Sequence, residues 1–194
     1  NNKLKIQLYG EYGILISNLI CIIDAKKNNY ESITIFEDDI YFIKNFNNYI
    51  LKNKNLLLNN YFVYLGASQW SWFVTDKNSK NYYYHTNDYY YPNRTCGYFG
   101  IYLNHKLYDE LIFLYTNYNF KVDVVIWFLY SCDPDKWTSE NSKKNAKYYS
   151  KFIVLTPNLV IADVDESDIR GKSKISNKTR AIKMKWDLEK YDLQ

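Results

Sequence analysis

Apolar positions along this chain fall in short blocks separated by polar, turn-forming stretches. Ile14-Leu15-Ile16, Leu19-Ile20 and Ile22-Ile23 are apolar nearly all round at helical spacing, which predicts a largely buried helix from Gly10 to about Lys27. Glu11 opens it at the positive end of the helix dipole, and the pair Ser17-Asn18 interrupts its apolar run. Ile33–Phe36 is a short β-branched run, the composition of a buried strand. Beyond it the pattern predicts an amphipathic helix over Asn45–Leu58 and a strand over Tyr61–Leu65 that stops at Gly66. A strand over Arg94–Leu103 contains Gly97 and Gly100, which permit close backbone approach. Asn104 is placed to cap a helix over His105–Tyr115, and a second apolar helix covers Lys121–Tyr130. Phe152–Leu155 reads as a buried strand, followed by the apolar run Asn158–Ala162, and Leu4–Leu8 as a short edge segment. Helices alternating with strands predict an α/β fold with a mixed, mainly parallel sheet flanked by helices.

Composition narrows the class. A length of 194 residues fits one domain with a substantial core, residues 1–194. Hydrophobic residues at 47% and aromatics at 19%, including 22 Tyr, exclude a disordered chain. A net charge of +4 is too slight to argue for nucleic acid. Three cysteines without metal or redox spacing favour a reducing, cytoplasmic compartment. Ile14–Ile23 is too short for a membrane span, and no signal-peptide pattern precedes it. No glycine-rich phosphate loop, Walker sequence or nucleophile elbow is present, which weakens kinase, NTPase, dehydrogenase and hydrolase readings.

The chemistry concentrates after the first strand, where Glu37-Asp38-Asp39 follow Phe36 directly. Adjacent carboxylates repel, and burial raises their proton affinity unless a cation compensates. Oxygen-only ligands at a strand's carboxyl end suit a hard ion, magnesium or manganese, that leaves positions open for phosphate. The bland alternative is an acidic turn facing water. Asp123 at a helix start is either a cap or a base facing an acceptor hydroxyl. Trp70 and Trp72, in the irregular stretch Ala67–Asn93 with Tyr82–Tyr84 and Tyr89–Tyr91, either stack on sugar faces or pack a hairpin. His85 and His105 read as lone surface residues. Near the end, Asp163, Asp165, Glu166 and Asp168 cluster before a stretch, Arg170 to Lys185, with seven basic residues and no acid. Residues 170–194 then form either a solvated arm or, through Arg170 and Lys172, a cover over a diphosphate.

Several segments, in order, resemble glycosyltransferase family 25, the lipooligosaccharide and collagen galactosyltransferase group. Gly10-Glu11-Tyr12-Gly13-Ile14-Leu15-Ile16-Ser17-Asn18 resembles the family's G-E-x-G-C-x-x-S-H opening, with Ile14 and Asn18 in place of its Cys and His. Ile35-Phe36-Glu37-Asp38-Asp39-Ile40 resembles its strand and E-D-D motif, Thr95-Cys96-Gly97-Tyr98 its T-x-A/G-Y strand, Val122-Asp123 its V-D helix start, and Ser167-Asp168-Ile169 its terminal S-D-I. The resemblance implies a GT-A, Rossmann-like fold, a UDP-sugar donor carrying galactose or glucose, a manganese or magnesium ion, and inversion at the anomeric carbon. It implies an acceptor hydroxyl on a glycan or on a modified protein of the hydroxylysine kind. On that reading Glu37, Asp38 and Asp39 hold the ion, with Asp168 or Asp163 completing its shell. Ser17, Asn18, Asp38, Arg170 and Lys172 hold the donor. Asp123 is the base, with Glu11 behind it, and Tyr98, Trp70 and Trp72 hold the acceptor. The family carries an earlier βαβ portion, so the resemblance also implies a chain truncated at its start or a shortened donor site. A non-catalytic carbohydrate-binding or assembly domain, or a metal-dependent nucleotidyl- or phosphotransferase, would use the same features differently.

Overall fold

The computed structural model describes residues 5–6, 9–69, 86–92, 95–130, 148–163, 184 and 186–193. The long first helix, α1 (Tyr9–Lys27), leads through a turn into β1 (Ser32–Phe36). The acidic triplet separates β1 from β2 (Ile40–Phe42), and two short helices follow, α2 (Phe46–Lys52) and α3 (Lys54–Asn59). Then come β3 (Phe62–Gln69), β4 (Tyr89–Tyr90), β5 (Thr95–Asn104), α4 (Tyr108–Asn117) and α5 (Val122–Tyr130). β6 (Phe152–Leu155) and β7 (Val160–Ala162) complete the regular elements that position the site. None of the described helices is long and apolar enough to cross a membrane.

Five strands form one sheet in the order β1-β5-β3-β6-β4, and β2 pairs with β7 in a separate ribbon. The mixed sheet flanked by helices agrees with the expected α/β class, but its mainly parallel character needs correction. Of the four pairings only β3 with β6 is parallel. β1, β3 and β6 nevertheless run in the same direction, because β5 lies between β1 and β3 and is antiparallel to both. The carboxyl ends of β1, β3 and β6 therefore share one end of the sheet with the start of β5.

Both faces of this sheet are covered, which explains why its strands read as continuous apolar runs. Phe62 and Tyr64 of β3 and Phe152 and Val154 of β6 join α1, α4 and α5 in one core. Their neighbours Val63, Leu65, Ile153 and Leu155 face the opposite core with β7, Trp186 and Tyr191. Stacking of Phe62 on Phe152, with ring centroids 5.2 Å apart, ties the parallel pair together. Full burial of each ring contributes about 2–3 kcal/mol.

α1 begins and ends as the pattern predicts, but it is not largely buried. Leu15, Asn18, Ile22 and Ala25 form its one buried stripe, while Ile20 and Ile23 lie on the solvent side. The helix caps one face of the sheet, so a single stripe is all it can bury. The predicted helix over 45–58 is two helices broken at Asn53, whose side chain turns back to donate to the Tyr49 carbonyl at 2.9 Å. That local bond is the competition by which asparagine interrupts helices. β3 runs on past Gly66 with register shifts on either side of it. Asn104 caps as expected: its side chain accepts the Lys106 N–H at 3.1 Å. Of the predicted edge segment Leu4–Leu8, Lys5 makes a bridge to Phe120 and Ile6 donates to the Asn119 carbonyl at 3.4 Å; residues 4, 7 and 8 lie outside the described residues.

Candidate active site

Gly66 and Gly100 are cross-strand partners on β3 and β5, and together they make a bare saddle on the sheet. Val160 of β7 rests on it: a Cβ built at Gly66 would lie 2.2 Å from the Val160 carbonyl oxygen, and one at Gly100 2.6 Å from its Cγ2. Close packing at the saddle lets β7 cross the sheet and reach β2, with which it pairs from Ile40↔Ala162 to Phe42↔Val160. The residue after β7, Asp163, consequently arrives beside the acidic triplet. Its N–H donates to the Asp39 carbonyl at 2.6 Å, and Tyr41 donates its hydroxyl to Asp163 Oδ2 at 3.0 Å.

Glu37, Asp38 and Asp39 thus form the crossing from the large sheet to the small ribbon, at the carboxyl end of β1. The Glu37 N–H donates to the Phe99 carbonyl at 3.0 Å, anchoring the turn to β5. Glu37 is half-buried, whereas Asp38 and Asp39 are exposed. Among the described residues no group of three or more Asp, Glu, His or Cys side chains converges to hold a metal ion. Asp168, expected to complete a metal shell, lies outside the described residues, as do Arg170 and Lys172 of the donor set and Trp70 and Trp72 of the acceptor set. His85 lies outside them too. Two exposed carboxylates from one turn still fit an ion that arrives with a diphosphate, since magnesium-type ions take one or two carboxylates and complete their shell from phosphate and water.

Asp123 belongs to the first turn of α5 and is half-buried. Its Oδ1 accepts the N–H of Gly97 at 3.1 Å, so the carboxylate reaches across to β5 instead of capping its own helix. Gly97 has φ of +87°, and a Cβ there would fall 2.4 Å from the Phe99 ring. Only glycine adopts that conformation freely, and it places the N–H toward α5. A second tie runs in parallel: Trp127 Nε1 donates to the Thr95 carbonyl at 2.9 Å.

Beneath Asp123 lies a set of buried phenols. Tyr64, Tyr98, Tyr115 and Tyr130 are all almost fully buried. Burial holds each hydroxyl protonated well above the ordinary tyrosine range, and the charge of Asp123 adds to the effect at all four. Tyr98 and Tyr115 share a hydrogen bond of 2.9 Å between hydroxyls. Glu37 also acts on Tyr98, after burial, Tyr115 and Asp123 in size. Both the half-buried acid and the acidic turn therefore help to keep the Tyr98 hydroxyl protonated.

The other expected site residues are placed as follows. Tyr98 is only 3% exposed and lies below the site, which corrects its expected role as an acceptor contact. Glu11 is held in an ion pair with Lys121 at 2.6 Å, its side chain 10% exposed, and so ties α1 to the start of α5. Ser17 is exposed on α1, while Asn18 is buried and donates to the Ile14 carbonyl at 2.9 Å. The two therefore do not present a joint face to a donor. The structure brings the backbone of Asp163 against the turn that carries Glu37, Asp38 and Asp39, with Asp123 at the same end of the sheet. Tyr115 and Tyr41 were not singled out by the sequence; a tyrosine in a helix stripe or a short strand carries no signal of a polar role.

No protein-family model matches this chain, and no curated protein matches it. The resemblance to glycosyltransferase family 25 therefore rests on the motif residues themselves.

Proposed function

We propose that this chain is a metal-dependent glycosyltransferase of the family 25 kind, moving a hexose from a UDP-sugar to a hydroxyl on a glycan or modified protein with inversion. The observation that carries this reading is that the acidic turn closing β1 and the half-buried Asp123 occupy one end of the sheet, both anchored to the start of β5 through Phe99 and Gly97. Ligands of open α/β sheets bind just beyond the carboxyl ends of the strands, where this turn lies. A manganese or magnesium ion, when bound, supplies positive charge that offsets the negative charge growing on the diphosphate leaving group. Asp38 and Asp39 are the exposed carboxylates that would hold it, with Asp163 beside them. Asp123 takes the proton of the acceptor hydroxyl. The Gly97 N–H fixes the orientation of that carboxylate, and the buried phenols below it stay neutral and compete for no charge.

Calorimetric titration with UDP and manganese tests the reading. Wild type is expected to bind the pair, and Asp39→Ala to lose most of that binding. Equal affinity in the two proteins, or none in wild type, would count against it. Oligosaccharide binding indifferent to both chelator and nucleotide would select the non-catalytic carbohydrate-binding alternative.

A further inference from the structure

α1 and α4 pack antiparallel: Lys26 near the end of α1 pairs with Asp109 at the start of α4. At the other end, the start of α1 and the end of α4 diverge around an open groove of about 880 Å³. This is the end of the molecule toward which the acidic turn lies. α1 is connected to β1 by a short turn and runs back past it, so its start lies toward the end of the sheet that carries Glu37, and the loop from Asn117 leads within a few residues to Asp123. The opposite end is marked by the register Ser32↔Asn104 and by the His105 N–H donating to the Glu31 carbonyl at 2.9 Å.

The lining has a particular chemistry. Rings of Tyr9, Tyr12 and Tyr118 alternate with the polar side chains of Thr116, Asn117 and Asn119 over an aliphatic floor, and among the described residues no charged one contributes. Tyr9 and Tyr12 are 98% and 54% exposed, and Tyr118 is 44% exposed, which leaves their rings open to a ligand. Tyr118 is braced from behind, stacked on Phe120 and tilted on Phe128. Thr116 and Asn117 donate back to the Ile112 and Phe113 carbonyls of α4, which leaves their oxygens as acceptors beside the Asn119 amide. Flat aromatic faces next to such groups match a pyranose, which presents apolar C–H faces and a rim of hydroxyls. Among the described residues the same lining offers no counter-charge to a phosphate, a carboxylate or an ammonium group. Tyr115 reaches from the groove to the acidic end, since it lines the groove while its hydroxyl is bonded to Tyr98.

We infer that this groove is a binding site for a neutral oligosaccharide, and that it serves as the acceptor subsite of the transferase. The first half of that statement stands on the groove alone; the second rests on the function proposed above.

Saturation-transfer NMR on the full chain tests it, using an array of neutral oligosaccharides that includes maltotriose, cellotriose and a chitotriose. At least one is expected to receive saturation from tyrosine ring protons. Tyr12→Ala and Asn119→Ala, at exposed positions whose loss leaves the core intact, are each expected to weaken that ligand about tenfold. UDP with manganese should not displace it. No transfer to any sugar, or unchanged affinity in both variants, overturns the proposal. Parallel titration with UDP and manganese separates it from the catalytic reading. Sugar bound and nucleotide ignored keeps the groove and removes the transferase. Nucleotide bound through Asp39 with no sugar in the groove does the reverse.

Discussion

The backbone N–H of Gly97 and the carboxylate of Asp123 meet across 3.1 Å, between the first turn of a helix and the start of a strand. The left-handed conformation of Gly97 is what aims that N–H, and Phe99 fills the space where a side chain would go. One glycine therefore decides both the backbone path and the setting of the half-buried acid.

Gly97→Ala is expected to destabilise the fold by about 2 kcal/mol, from the unfavourable φ and the contact with the Phe99 ring. Urea denaturation measures it, with the slope unchanged and the midpoint lowered. A midpoint equal to wild type would show that the backbone escapes the positive φ at little cost.

The Tyr98–Tyr115 pair makes a double-mutant prediction. Tyr98→Phe leaves the buried Tyr115 hydroxyl without this partner, and Tyr115→Phe does the same to Tyr98; each is expected to cost about 1–3 kcal/mol. The double variant removes both hydroxyls together and should cost less than the sum by about 1 kcal/mol. Strict additivity would mean that the two hydroxyls do not depend on each other.

Stability should fall in alkali. Burial raises the native proton affinity of Tyr64, Tyr98, Tyr115 and Tyr130 above the ordinary value of 10.0, so the unfolded chain ionises first. Above that pH the unfolded state binds fewer protons than the native one, and unfolding free energy declines. The contribution is present in full below about pH 10 and is lost as pH rises toward the native values, at about 1.4 kcal/mol per unit for each tyrosine. Urea midpoints at about pH 9 and pH 11 test this, with tyrosinate absorbance as a second measure. A midpoint that does not move would mean that water reaches these hydroxyls.

The glycine saddle gives an ordering. At Gly66 an added methyl meets the backbone carbonyl of Val160, which moves only if β7 moves. At Gly100 it meets the Val160 methyl and the edge of the Phe36 ring, both of which can rotate. Gly66→Ala is therefore expected to cost more than about 3 kcal/mol and Gly100→Ala about 1–3 kcal/mol. The reverse order in thermal or urea melts would mean that β7 is not seated as described.

These tests bear on different amounts of what the sequence discloses. β6 coincides with the apolar block Phe152–Leu155, and α1 starts within one residue of its predicted position. Such blocks are legible because they reflect burial, which hydrophobic pattern reports directly. Strand direction is another matter. A strand buried on both faces looks the same whether its neighbours run with it or against it, so nothing in Thr95–Asn104 announced that β5 would slot antiparallel between β1 and β3. The acids of the triplet and Asp123 were legible as chemistry, since carboxylates bordering apolar runs need a reason. Their placement at one end of the sheet was not, because it depends on Gly97 meeting Asp123, and Gly66 and Gly100 meeting Val160, at long sequence separation. Tyr98 misled for a related reason: the residue type suggests ligand contact, and only the packing shows its hydroxyl turned inward to Tyr115.

Among the described residues β1 has the outermost place in its sheet, with β5 as its strand partner. The far side of such a strand offers a row of amide and carbonyl groups to any extended segment that comes alongside. Thr34 and Phe36 lie exposed on this strand, and Phe36 is the residue immediately before Glu37. A chain annealed there, from this polypeptide or another, would extend the sheet and set its own side chains next to the three acids, turning an assembly event into a change of the site itself.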